Sequence, residues 1–102
     1  MSMLHTINKS PFQTSTLEGC LSRACDGSAV LFIEDGVYGA VRGTPLEPKM
    51  TDAMKRVQLY VLGPDLEARG MPYDRIVEGI KVVDYAGFVD LAVQHESVQA
   101  WL

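Results

Sequence analysis

The chain has 102 residues, 47% of them hydrophobic, with two cysteines and a formal net charge of -4. That length fits a single domain over residues 1–102, and nine scattered basic residues against thirteen acidic ones leave no phosphate-tracking surface, so no direct nucleic-acid partner is expected. No apolar run approaches the ~20 residues of a membrane-spanning helix, and MSMLHTINKSPF lacks a signal-peptide core, which makes the cytoplasm the expected compartment.

In chain order, MLHTIN and AVLFIED read as the first two strands. Between them, Ser15 followed three places later by Glu18 is a capping-box pattern and Asp26-Gly27 a stop, which predicts a helix over 16–25. Asp35-Gly36 closes the second strand, and GVYGAVRGTPLEP reads as a short helical turn followed by a surface loop. Met50, Ala53, Met54 and Val57 fall at helical spacing. QLYVLG is a third strand, PDLEARG a short helix opened by Pro64 and stopped by Gly70, and GIKVV a fourth strand. In DYAGFVDLAVQHE, Tyr85, Phe88, Val89 and Ala92 recur at i, i+3, i+4, i+7, which predicts one apolar stripe laid on the sheet. The tail VQAWL reads as a last edge strand. This alternation predicts an α/β fold: one compact domain with a four- to five-stranded, mostly parallel sheet, right-handed crossovers and helices on both faces.

Both cysteines fall in TLEGCLSRAC, with Arg23 between them. On a helix five residues apart they differ by roughly 140° in rotation and about 7.5 Å in rise, too far for a disulfide. Neither His5 nor His95 stands at a ligand spacing from the thiols, so no metal and no cofactor is expected. The helical wheel places Cys20 at the polar margin of the Leu17, Leu21, Ala24 stripe, where Arg23 could favour a thiolate; Cys25, near Glu18 and the helix end, reads as packing. Burial at the edge of the stripe is the competing reading for Cys20.

Taken over nearly its full length, the chain resembles the DsrH/TusB family of sulfur-relay subunits, through LHTINKSPF, AVLFIEDGVYGAV, LYVLGPDLEARGM and VVDYAGFVDLAVQHESVQAWL. The resemblance implies a DsrE/DsrF/DsrH-like fold and a place in a heterohexamer with DsrE-like and DsrF-like paralogues. It also implies a DsrC/TusE-like sulfur acceptor and a principal persulfide cysteine on the DsrE-like partner. A cysteine at the position of Cys20 is similar to the DsrH branch, which serves oxidation of stored sulfur, so the expectation is an auxiliary subunit of that branch. Cys20 is then the possible persulfide carrier and Arg23 its thiolate stabiliser. The alternatives are a TusB-type subunit in 2-thiolation of the tRNA wobble uridine, with Cys20 incidental, and a free-standing module for a small anion.

Other residues carry weaker expectations. Lys9 and Ser10 follow the first strand where an anion could meet backbone N–H groups, but Lys9 reads first as a solvated loop residue. Glu34 and Asp35 stand at a strand exit and read first as a turn. His5 reads as an ordinary strand residue and His95 as a helix-end cation. Tyr38, Trp101 and Leu102 are the candidate subunit contacts, because a terminal Trp-Leu must fold back or find a partner.

Overall fold

Five strands, β1 (Met3–Ile7), β2 (Ala29–Phe32), β3 (Gln58–Leu62), β4 (Lys81–Val83) and β5 (Ser97–Trp101), form one parallel sheet in the order β4-β3-β2-β1-β5. The structure, a computed structural model, describes residues 2–102. Four α-helices connect the strands: α1 (Thr16–Arg23), α2 (Glu47–Ala53), α3 (Gly63–Ala68) and α4 (Tyr85–Gln94). A 3-10 helix over Glu34–Ala40 follows β2. All five strands predicted from the apolar runs are present.

The topology explains how the helices divide between the faces. From β1 to β4 the chain steps steadily in one direction, so crossovers of one hand put α1, α2 and α3 on the same face. The last connection runs back across the sheet to β5, and the same hand then requires the opposite face. The cores agree. Ile7, Val30, Phe32, Leu59 and Val61 pack with Leu17, Leu21, Met50 and Leu66 of the three helices. On the other face Leu4, Ala29 and Leu31 meet Leu91, Phe88 and Ala92 of α4, a smaller cluster. At about 1.5–3 kcal/mol for each fully buried aliphatic or aromatic side chain, the first face carries most of the stabilisation.

Three local expectations change. The capping box does not form: Ser15 makes no side-chain cap, and Glu18 turns outward to Lys49 at 2.6 Å, whose hydrogen bond holds its carboxyl below the usual range. Helix α1 ends at Arg23 rather than Cys25, because Ala24 is already extended. Its last carbonyls are taken by Arg56, whose guanidinium donates to Leu21 O at 2.7 Å and Ala24 O at 3.0 Å and also pairs with Asp26. In α4 the stripe is rotated: Phe88, Leu91 and Ala92 face the sheet, whereas Tyr85 and Val89 are each 61% exposed.

Candidate functional site

The C-terminal edge of a parallel sheet is where α/β proteins usually hold ligands, and here that edge is occupied by structural bonds. Asp35 accepts two hydrogen bonds from Arg69, at 3.0 and 2.9 Å. The Glu34 N–H donates to Asp65 Oδ2 at 2.7 Å, and Asp84 caps α4 through the Gly87 N–H at 2.8 Å. Glu34 and Asp35 open the 3-10 helix rather than a simple turn, with Glu34 at φ 50°. An edge so rich in carboxylates disfavours an anion there, and Lys9 is a solvent-exposed loop residue.

The two thiols exchange the environments expected of them. Cys20 is fully buried, packed in the cluster that holds Ile7, Leu17, Leu21 and Ala24, and desolvation pushes its thiol up to about 12. The expectation that Cys20 stands at a reachable margin beside a cation is therefore corrected: its sulfur lies in hydrocarbon, and Arg23 is exposed and directed elsewhere. Cys25, expected to pack, is the exposed free thiol. The reason is the early end of α1, which takes Cys25 off the helical wheel and onto extended chain.

Arg23 and Cys25 line a cavity of about 150 Å³ at the opposite, N-terminal edge of the sheet, together with His5, Ser28 and Ser97. His5 projects from β1 onto the α1 face, where the Trp101 indole Nε1–H donates to its Nδ1 at 3.0 Å. An indole can only donate, so the neutral imidazole carries its proton on Nε2. Burial lowers the His5 pKa from 6.5. The unfolded chain therefore binds this proton more readily, and the His5 contribution to stability is complete above about 6.5 and lost as pH falls toward the lower folded value. Protonation also removes the acceptor that Trp101 uses. The urea midpoint should drop between pH 7.5 and pH 5.5 by more in the wild type than in His5→Gln, which cannot titrate; equal drops would exclude His5 as the source.

The expected contact residues lie elsewhere on the surface. Trp101 is partly buried, packed on the core and on Gly19 of α1, and Tyr38 is partly buried in the 3-10 helix. Leu102 is 83% exposed. Because β5 pairs with β1 from Met3↔Ser97 to Ile7↔Trp101, removing residues 98–102 would strip β1 of a neighbour as well as any contact surface. A larger apolar surface runs along α4: Tyr85 and Val89, which periodicity assigned to the sheet-facing stripe, are followed by Val93 at i, i+4, i+8, all exposed. His95 closes that helix through its Nδ1 and Leu91 O, 2.7 Å apart. Among the described residues no group of three or more His, Cys, Asp or Glu is placed to hold a metal ion, and no helix is long and apolar enough to cross a membrane.

The family model described as "DsrH like protein" matches residues 9–98. The chain belongs to the DsrH-like family. Among relatives of this DsrH-like chain, Protein TusB of Pectobacterium parmentieri is 37% identical over 99 residues, covering 97% of this chain and 100% of that one. Protein TusB of Photorhabdus laumondii is 35% identical over 101 residues with the same coverage. Protein TusB of Escherichia coli O1:K1 is 37% identical over 99 residues, again covering 97% and 100%. The solved ychN protein from E. coli superposes with a TM-score of 0.80 at 13% identity, over 98% of each chain. A protein of unknown function from Methanobacterium thermoautotrophicum does so at 0.73 and 16% identity, over 96% of this chain and 97% of that one. At these identities the two structures speak for the DsrH-like fold alone.

Proposed function

We propose that this chain is a TusB-type subunit of a cytoplasmic sulfur relay that supports 2-thiolation of the tRNA wobble uridine. The observation that carries the reading is the 35–37% identity, over essentially the whole length of both chains, to proteins named TusB. The sulfur-oxidation branch was favoured by a thiol at position 20, and the burial of Cys20 weakens that reason. The subunit is auxiliary. Its partners are two paralogous chains of like fold in a heterohexamer, the principal persulfide cysteine belongs to the DsrE/TusD-like partner, and a TusE-like protein accepts the sulfur.

An assembling subunit accounts for the apolar stripe on α4, which a free-standing monomer would expose to water with no return. Tyr38, Trp101 and Leu102 are proposed to add to the contacts between chains. Co-expression with the two paralogues and affinity purification tests this: all three chains should elute together. Val89→Asp should reduce recovery of the partners at least about tenfold, as expected for a charge buried in an apolar contact, without lowering the melting temperature of the lone chain. Elution of the chain alone would contradict the assembly, and undiminished recovery with Val89→Asp would remove α4 from it.

A further inference from the structure

The two edges of the sheet are built differently. Strand β4, at one end, has three residues and opens on Lys81. Shortness and an edge lysine are two of the devices that keep a sheet from recruiting further strands. Strand β5, at the other end, has five residues, four of them exposed, and its sequence SVQAW carries no charge, no proline and no glycine. It pairs with β1 residue for residue from Met3↔Ser97 to Ile7↔Trp101, so no bulge bends it away. Among the described residues no other strand bonds to it, which leaves the N–H and C=O groups of its outer side to water. Such a row of donors and acceptors is completed by one kind of partner, another extended strand.

We propose that β5 pairs antiparallel with β5 of a second copy of this chain, about a two-fold axis at Gln99, joining the two sheets edge to edge. The strand matches itself in length and charge. About that axis Val98 faces the partner's Ala100, Ser97 faces the partner's Trp101 and Gln99 faces the partner's Gln99, so no like charges meet along it. The faces agree as well. Val98 and Ala100 align with Leu4 and Thr6 on the α4 side, and Ser97, Gln99 and Trp101 align with Met3, His5 and Ile7 on the other. A two-fold axis normal to the sheet keeps each side with its like, so Val98, 50% exposed in the lone chain, gains an apolar neighbour. The β4 edge of another copy fits worse: it would cover three of the five residues and bring in Lys81. A β5-to-β4 contact would also run head to tail and leave a free edge at each end, whereas β5 on β5 closes. The proposal rests on this edge alone and not on the subunit reading.

Sedimentation equilibrium of the purified full-length chain, over rising protein concentration, tests it. The wild type should show a monomer–dimer equilibrium, weak because an edge of five residues falls well below a standard interface. Gln99 is exposed, so Gln99→Lys and Gln99→Glu should keep the wild-type urea midpoint. Each sets like charges across the axis and should raise the dimer dissociation constant about fivefold. An equal mixture of the two variants sets a cation opposite an anion and should return the constant to about its wild-type value. Val89→Asp, on α4, should leave it unchanged. A wild type that stays monomeric at every concentration overturns the proposal. So does a dimer that both Gln99 variants form as well as the wild type, that the mixture does not restore, or that is lost with Val89→Asp. Assembly with the paralogues is read separately: a chain that recovers them but does not self-associate refutes the edge alone, and one that self-associates but elutes without them refutes the subunit reading alone.

Discussion

Iodoacetamide at pH 8 should label Cys25 in the folded chain and leave Cys20 untouched, with a rate difference of more than about a hundredfold. A thiol whose pKa is about 12 is ionised at roughly one part in ten thousand at that pH, and the thiolate is the reacting species. Burial adds a second factor, since a sulfur with 0% exposure meets reagent only when α1 opens away from the sheet. In about 6 M guanidinium, where the core is gone, the two cysteines should label at similar rates. Comparable labelling of both in the native chain would mean that α1 is not seated on β1 and β2 as described. It would also restore the expectation that Cys20 can receive sulfur, which the seated helix does not allow.

Gly36→Ala should destabilise the protein by about 3 kcal/mol or more, in the range of severe overpacking, and it stands to leave little folded chain. A methyl group on Gly36 would collide with the Ile7 carbonyl oxygen and come within 2.9 Å of the carbonyl carbon. That oxygen already accepts from the Ile33 N–H at 2.9 Å, and the Gly36 N–H donates to Ile33 O at 2.8 Å. The obstacle is therefore backbone on both sides, at the end of a strand flanked by β2 and β5, so neither partner can give way. This contact ties the EDGVY segment to the sheet and turns the chain into the 3-10 helix. Gly19→Ala is the control: its nearest contact, Trp101, is 3.8 Å away and the site is inside α1, so alanine should stabilise by about 0.5–1 kcal/mol. Urea unfolding of the two variants measures both. A Gly36→Ala midpoint within error of wild type would place the 3-10 helix farther from β1 than described.

The layout of the sheet was legible because its strands are short apolar runs fenced by Gly, Pro and Asp, and buried parallel strands need no alternation. Side-chain direction was less legible, for reasons particular to each element. In α4 only Asp90 and Gln94 are strongly polar, so more than one apolar stripe can be drawn through YAGFVDLAVQ, and the choice falls to packing against Leu4, Ala29 and Leu31. In α1 the wheel put Cys20 at the margin of the Leu17, Leu21 stripe, and packing against the sheet buried it; one residue of extended chain at Ala24 then took Cys25 off the wheel and out to solvent. The capping box failed because a residue from α2, Lys49, competes for Glu18. The cavity was invisible to spacing, since its His5–Trp101 bond joins residues 96 apart and only the parallel pairing of β1 with β5 brings them together. The one hint was the tail itself, an aromatic that had to fold back on something.

The account as a whole depends on this chain serving the tRNA branch of the sulfur relay. The direct measurement is the 2-thiouridine content of bulk tRNA, by nucleoside mass spectrometry, in a bacterium lacking its own TusB and expressing this chain with its two paralogues. Recovery of the modified nucleoside to near the parental level is the predicted result; a level that stays at that of the deletion strain, with the three chains present and folded, would contradict it.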